Sequence, residues 1–195
     1  DDYYVGDQAY VDARYRTERQ TTWEDIVNSD RRLNRVGPLL AGQRWVDFGC
    51  GRGTLLRRAL DMDIRGVGIE LDSSSREEIR ACGLSSFREL SELDQPADVM
   101  TLFHVLEHLP SPLETLREIS KHMSEGARLV VEVPHARDLL LTAVASEAFK
   151  AHTLWSQHLV LHTKDSLRRL LTAAGFSDVI ILGVQRYGVE NHLQW

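Results

Sequence analysis

Residues 46 to 53 read Val46-Asp47-Phe48-Gly49-Cys50-Gly51-Arg52-Gly53, an apolar run with one carboxylate that leads into three closely spaced glycines. The apolar run predicts a buried strand, and the residues from 54 onward predict a helix that follows at once. Glycines allow the backbone to adopt positive φ and to approach a ligand closely. The N-terminus of the following helix points its free amides and positive dipole at the same place. The stretch therefore predicts a strand, a ligand-binding turn and a helix.

Hydrophobic runs and polar, periodic segments alternate from residue 44 onward, which predicts an α/β fold with a mostly parallel sheet. We expect strands at 44–49, 66–71, 86–90, 98–104, 128–133 and 178–184. We expect helices at 54–62, 73–82, 112–123 and 163–174. Residues 1–40 predict a helical N-terminal cover that closes at Gly37-Pro38. Residues 134–162 leave the carboxyl end of a strand, where ligands bind in such sheets, and are predicted to form a substrate lid.

Composition limits the class of protein and its partners. The chain has 195 residues and a formal net charge of −6, which predicts one domain over 1–195 and disfavours a nucleic-acid partner. Two cysteines, Cys50 and Cys82, predict no disulfide framework and fit a reducing cytoplasm. The sequence contains no apolar run of about 18 residues, so we expect no membrane span. We interpret two arginine clusters as solvated helix faces, namely Arg14, Arg16 and Arg19, and Arg31, Arg32 and Arg35.

The spacing of the glycines separates two classes of cofactor. Dinucleotide enzymes use G-x-G-x-x-G, whereas this turn has G-x-G-x-G and places Thr54 where the last dinucleotide glycine would stand. The run resembles the first motif of class I S-adenosylmethionine (SAM)-dependent methyltransferases, whose glycines lie under the ribose and the amino acid end of SAM. The resemblance implies a three-layer, Rossmann-like sandwich with a C-terminal antiparallel strand. A plain strand-to-helix connection is the alternative.

The second predicted strand ends in Gly68-Ile69-Glu70-Leu71-Asp72, about 20 residues after the glycines, where a carboxylate can accept hydrogen bonds from ribose hydroxyls. Glu70 is the candidate for that role, and Asp72 is the candidate N-cap of the next helix. The resemblance implies a cofactor-binding set of Asp47, Gly49, Cys50, Gly51, Gly53, Glu70, Leu71, Phe103 and His104.

The fourth predicted strand runs through Phe103 and His104 into Val105-Leu106-Glu107-His108, which also resembles the methyltransferases. In those relatives the end of this strand contacts SAM near its methyl group. His104, Glu107 and His108 also match H-x-x-E-H, a pattern of zinc peptidases. That mechanism needs a sustained helix, but here a strand leads in and Pro110 follows, so we disfavour it.

Some similar methyltransferases, including quinone and small-RNA enzymes, hold a divalent ion at this place, commonly with glutamate where this chain has His104. Because His104 replaces that glutamate, we regard a bound divalent ion as possible but do not expect one. His108 and His104 are the candidate catalytic bases, because an unperturbed imidazole titrates near neutral pH. His135 and His158 are the candidate substrate contacts. A structural role is the alternative for each histidine.

The methyl acceptor is not defined by motifs that concern the cofactor. Residues 183–195 resemble the ends of methyltransferases from carbohydrate and secondary-metabolite pathways, which favours a small hydroxylated acceptor such as a sugar or surface-glycan precursor. A quinone-like or phenolic acceptor, or an RNA end with a divalent metal, is the alternative. A further alternative is that the chain is a SAM-binding module without catalytic activity. Residues 190–195 are the candidate last strand, unless the chain is truncated after Trp195.

Overall fold

The structure, a computed structural model, describes residues 21–142, 144, 146–154 and 158–184. Its centre is a five-stranded sheet in the order β3-β2-β1-β4-β5, with every neighbouring pair parallel. The strands are β1 (Trp45–Phe48), β2 (Gly66–Ile69), β3 (Ser85–Phe87), β4 (Ala97–Phe103) and β5 (Met123–Glu132). The order reverses at β1, so the crevice beyond the carboxyl ends of β1 and β4 is where an α/β sheet binds its ligand.

The four helices that the sequence predicted with bounds occupy their predicted places and end within two residues of those bounds, and the structure adds two short helices in the predicted lid. The helices are α1 (Trp23–Leu40), α2 (Thr54–Leu60), α3 (Ser73–Ala81), α4 (Pro112–Lys121), α5 (Leu139–Thr142), α6 (Glu147–Thr153) and α7 (Lys164–Ala173). Single 3-10 turns lie at Leu90–Glu92 and Leu106–His108. Asp72 caps α3 by accepting a hydrogen bond from the Ser75 amide at 2.7 Å, as the sequence predicted.

Alternate strand residues face two separate cores, as expected for strands buried on both sides. Trp45 and Val99 pack with α1, α2 and α3 on one face. Val46 and Met100 pack with α4 on the other, where α7 adds a further cluster. This arrangement confirms the three-layer, Rossmann-like α/β sandwich. No helix within the described ranges is long and apolar enough to span a bilayer.

Three details of the sequence prediction are corrected. Strand β5 begins at Met123 rather than 128, because α4 stops at Lys121 and Met123 already pairs with Ala97. Helix α1 continues past Gly37 and carries Pro38 in its last turn. Residues 178–184 form no strand, although Val179 and Ile181 pack against the α7 cluster in the alternating pattern that led to the prediction. The candidate last strand at 190–195 and the first 20 residues lie outside the described part of the chain.

Candidate functional site

The glycine turn lies at the carboxyl end of β1, and its three glycines have positive φ of +70°, +53° and +72°. A Cβ on Gly49 would lie 2.5 Å from Val105 Cγ2, and one on Gly53 would lie 2.6 Å from Ile79 Cγ1. A Cβ on Gly51 would meet no atom of the described residues within 4 Å. Gly49 and Gly53 are therefore required for packing, whereas Gly51 leaves open space above the turn for a ligand.

A buried chain of hydrogen bonds supports the turn from below. Trp45 Nε1 donates to Thr101 Oγ1 at 2.9 Å, and Thr101 Oγ1 donates to Asp47 Oδ1 at 2.6 Å. Asp47 is buried, and burial raises the pKa of its carboxyl to about 7 despite the hydrogen bond from Thr101. Asp47 thus lies under the turn rather than on its open surface. The sequence analysis did not identify Thr101, because its partner stands on a neighbouring strand.

Glu70 lies where β2 ends and reaches across to the turn. Its Oε2 accepts the Gly51 amide at 2.9 Å, and its Oε1 accepts the Asp72 amide at 2.9 Å. The next residue, Leu71, is half exposed, at 53%. Cys50 is packed beneath, since a Cβ on Gly68 would lie 2.5 Å from its Sγ. The open glycine, the carboxylate and the exposed apolar side chain therefore share one edge of the sheet.

His104 follows β4 with a φ of +57° and has a carboxylate at each ring nitrogen. Its Nδ1 lies 3.0 Å from Glu107 Oε1, and its Nε2 lies 3.3 Å from Glu132 Oε1. Burial lowers the pKa of His104, but the hydrogen bonds to Glu107 and Glu132 outweigh burial and raise the pKa above its ordinary value. An imidazole with both nitrogens engaged and a raised pKa is a poor general base.

Glu132, at the end of β5, is the centre of an ionic cluster that the sequence analysis missed. Arg31 and Arg32 each place Nη2 2.8 Å from Glu132 Oε1. Burial raises the pKa of Glu132, but hydrogen bonds from His104 and Arg31 lower it well below its usual range. The Arg32 guanidinium also lies 4.6 Å from the centre of the Phe103 ring. A carboxylate at the predicted carboxyl edge of the sheet was the signal available in the sequence.

The interpretation of Arg31 and Arg32 as solvated residues is therefore wrong, since their side chains are only 19% and 14% exposed. Among the residues that the structure describes, Arg31 Nε and Nη1 are buried without a hydrogen-bond partner. Buried guanidinium N–H groups are costly to leave unpaired, and a carboxylate matches their geometry. The Glu132 cluster thus holds the Arg31 guanidinium beside the carboxyl edge of the sheet. Two nitrogen donors of that guanidinium have no partner among the described residues.

A second cluster lies beyond β4 and consists of Glu107, His108 and His158, whose ligand atoms lie within 4.8 Å of one another. The rings of His108 and His158 are 4.8 Å apart between centroids and are tilted by 52°. His158 Nδ1 lies 2.6 Å from the Thr153 carbonyl oxygen. Glu107 is fully buried, and its Oε2 has no hydrogen-bond partner within the described ranges. The structure thus places His158, a residue of the predicted lid, beside Glu107 and His108.

This geometry excludes the peptidase arrangement. Residues 106–108 form a single 3-10 turn, and His104 precedes it in a left-handed conformation, so His104 and His108 do not share a helical face. The donors of the second cluster do fit a divalent ion, because carboxylate and imidazole are zinc and transition-metal ligands. Glu107, His108 and His158 would hold such an ion.

Two further histidines, His135 and His162, differ in exposure. His135 is exposed at the carboxyl edge, where its Nδ1 accepts the Arg137 amide at 3.2 Å. Its backbone pairs with His162 in an isolated parallel bridge. His162 is buried, and neither of its ring nitrogens has a hydrogen-bond partner in the described part of the chain. His135 is therefore outside the second cluster, while His162 is a buried polar residue that the sequence analysis left unassigned.

Fold and glycine turn together define a Rossmann-like methyltransferase, and the comparisons agree. The methyltransferase domain family matches residues 15–180, so the chain belongs to this family. This result confirms the assignment to the SAM-dependent methyltransferases made from the sequence.

Among curated proteins, a ubiquinone biosynthesis O-methyltransferase of Idiomarina loihiensis is 26% identical over 83% of this chain and 77% of its own length. A protein of the same name from Hahella chejuensis is 27% identical over 55% of this chain, which spans about half (54%) of that protein.

Among solved structures, a SAM-dependent methyltransferase of Archaeoglobus fulgidus has a TM-score of 0.64 and 20% identity, over 97% of this chain and 87% of its own. The magnesium protoporphyrin IX methyltransferase of Synechocystis with bound S-adenosylhomocysteine (SAH) has a TM-score of 0.59 and 19% identity, over 90% and 87%. These two likenesses support the fold.

Proposed function

We propose that the protein transfers the methyl group of SAM to a hydroxyl group of a small organic acceptor. The observation that carries this proposal is that a candidate cofactor site and a cluster of candidate catalytic residues lie at the ends of neighbouring strands. The open turn at Gly51 with the Glu70 carboxylate lies beyond β1 and β2, and the Glu107–His108–His158 cluster lies beyond the adjacent β4. Donor and acceptor would meet between neighbouring strand ends, where α/β sheets bind ligands.

The residues on the donor side fit SAM. Glu70 is placed to accept hydrogen bonds from ribose hydroxyls, and Leu71 offers exposed apolar surface for the adenine ring. The two unpaired N–H groups of Arg31 suit the carboxylate of the methionine portion. The remaining cofactor residues predicted from the sequence, including Cys50 and Phe103, would line or support this half of the crevice. When bound, SAM supplies a methyl group already activated by a sulfonium charge.

On the acceptor side, alignment and removal of a proton are the tasks left to the protein. His108 is the proposed base. His104 is better suited to holding Glu107 and Glu132, because both of its ring nitrogens are engaged. His158, beside His108, and the exposed His135 are proposed to contact the acceptor from the lid over 134–162. If a divalent ion is held by Glu107, His108 and His158, His108 is a ligand rather than the base, and the ion would activate the acceptor hydroxyl by lowering its pKa.

Of the two acceptor classes, the phenolic or quinone-like class is favoured. The curated relatives carry the name ubiquinone biosynthesis O-methyltransferase, which supports an O-methylation of a small molecule. The sugar or glycan precursor expected from residues 183–195 finds no support in a contact, since those residues are largely outside the described part of the chain. Both classes belong in the same screen.

A radiolabelled methyl-transfer assay tests the proposal. We expect label to pass from SAM to a phenolic acceptor within a panel of phenols, sugars and short RNAs, with and without EDTA. His108→Ala should lose turnover but still bind SAM, whereas His122→Ala, a change at the end of α4, should retain both. SAM binding without transfer to any acceptor would favour the non-catalytic module. Loss of transfer with EDTA would assign an ion to the second cluster.

A further inference from the structure

Asp47 is a buried carboxyl that is supported by a neutral hydrogen-bond donor. It lies on β1, is only 4% exposed, and accepts a hydrogen bond from Thr101 Oγ1 at 2.6 Å. The direction of this bond is fixed, because the Trp45 indole can only donate and already donates to the same hydroxyl at 2.9 Å. Burial of a carboxylate is costly unless cations or several donors support it. The local geometry of Asp47 therefore favours the protonated carboxyl.

Charged and titratable groups act on Asp47 from α1, from the end of β2 and from the glycine turn. Burial raises the pKa of Asp47 to about 7, the Thr101 hydrogen bond and the Arg32 charge oppose that rise, and the Glu70 charge adds to it. The Cys50 thiol stays neutral, because burial raises its pKa and the charges of Asp47 and Glu70 raise it further. At pH 6.5 a carboxyl with such a pKa is about three quarters protonated.

The carboxyl lies beneath the proposed SAM site. Asp47 pairs with Gly68 of β2, so the glycine turn at Gly49 and the carboxylate residue Glu70 both lie two residues further along their strands. At about 3.3 Å per strand residue, a ligand above the turn lies on the order of 8 Å from Asp47. A unit charge at about 8 Å, with an effective dielectric constant of about 20, changes the proton affinity of a carboxyl about thirtyfold. A cation bound above the turn therefore acts on Asp47 without touching it.

SAM carries a sulfonium charge that SAH lacks, whereas both share the same ammonium and carboxylate groups. We propose that Asp47 is a proton-linked counter-charge for SAM, protonated in the ligand-free protein, ionised when SAM binds, and protonated again when the sulfonium charge is lost. The proton released on binding passes to solvent. In the transfer step the S–CH₃ bond breaks with its electron pair left on sulfur, the O–CH₃ bond forms, and the hydroxyl proton leaves through the proposed base, His108.

The ionised carboxyl thus favours the substrate SAM over the product SAH, and it does so more strongly as the pH rises through 7. The inference rests on the proposed methyl transfer and adds a pH dependence of cofactor exchange to the same site.

Calorimetric titration at pH 6.5 in phosphate and in imidazole, two buffers with different heats of ionisation, counts the protons released for each ligand bound. Wild type should release about two thirds of a proton with SAM and clearly less with SAH. Asp47→Asn should lose this difference between the two ligands. The matched control Asp165→Asn, the same change on an exposed side chain of α7, should behave as wild type does.

Substitutions at Thr101 separate a proton-linked carboxyl from a merely structural one. Wild type should bind SAM about five- to tenfold more tightly at pH 8 than at pH 6. Thr101→Val removes the hydroxyl that stabilises ionised Asp47, so the pH at which SAM binding tightens should move upward. Thr101→Ser keeps the hydroxyl and should restore the wild-type profile.

Equal proton release with SAM and SAH, or no release with either, would overturn the inference and leave the proposed methyl transfer intact. If Asp47→Asn does not fold, the Thr101 variants still decide, because an unshifted pH profile in Thr101→Val would also overturn it. Failure of the proposed function is distinct, since wild type would then bind SAM with proton release but transfer no methyl group to any acceptor. A wild type that does not bind SAM would overturn both.

Discussion

Replacing Glu132 by Gln tests whether the ionic cluster joins α1 to the sheet. The change removes the one anion that Arg31, Arg32 and His104 share, and all three face it within 3.3 Å. The Glu132 side chain is 21% exposed, so its ion pairs are screened less than surface pairs. Removing one partner of a buried pair costs about 3–5 kcal/mol, and partial exposure reduces this, so we expect a loss of about 2–4 kcal/mol.

Urea unfolding followed by circular dichroism measures that loss. Glu118→Gln is the matched control, because Glu118 pairs with Lys121 on an exposed helix face, where solvent screening leaves an ion pair little effect on stability. The lowered pKa of Glu132 means that its stabilisation is present above the pKa of an unfolded glutamate and is lost as the pH falls through the folded pKa. The urea unfolding curves of wild type and Glu132→Gln should therefore converge in acid. Equal stability of Glu132→Gln and Glu118→Gln at neutral pH would refute this reasoning.

Three further predictions concern the site. The pKa of Asp47 is raised to about 7, so the folded protein keeps a proton that the unfolded chain loses near pH 4. As the pH rises from 4 to 7, the free energy of unfolding of wild type should therefore fall, relative to Asp47→Asn, by up to about 1.4 kcal/mol per pH unit. A parallel pH dependence of the two proteins in thermal melts would contradict this. Gly53→Ala should destabilise by about 1–3 kcal/mol, since its Cβ meets Ile79, whereas Gly51→Ala should destabilise less and chiefly weaken SAM binding. Equal losses of stability in urea titrations would count against the open space at Gly51. His108→Ala should lower kcat by about a hundredfold or more with SAM affinity unchanged, because a general base typically contributes at least about that much, and unchanged turnover would remove His108 from the mechanism.

The features that the sequence predicted correctly depend on neighbours along the chain. The glycine turn, the Asp72 cap and the alternation of strands and helices follow from turn chemistry and periodicity within a few residues. The same local pattern produced an error at 178–184, where alternation is present but the described chain offers no pairing strand.

The features that the sequence analysis missed depend on contacts between distant segments. Arg31 and Glu132 are 101 residues apart, and they meet only because α1 reaches the end of β5. Thr101 contacts Asp47 because β4 pairs directly with β1, an order that no local pattern defines. The absence of described hydrogen-bond partners for the His162 ring nitrogens likewise becomes visible only when the side chains around His162 are known. Periodicity and turn chemistry therefore predict most of the fold and the glycine turn, whereas contacts between distant segments require the structure.

The most direct test of the central claim is a calorimetric titration of SAM into wild type, Glu70→Ala and Glu118→Ala. The account predicts saturable binding to wild type and to Glu118→Ala. It predicts that Glu70→Ala binds at least tenfold more weakly, because a hydrogen bond to a charged group contributes about 1.5–3 kcal/mol. SAM binding that is absent from wild type, or that is equally tight without the Glu70 carboxylate, would contradict the assignment of the crevice above the glycine turn as the SAM site.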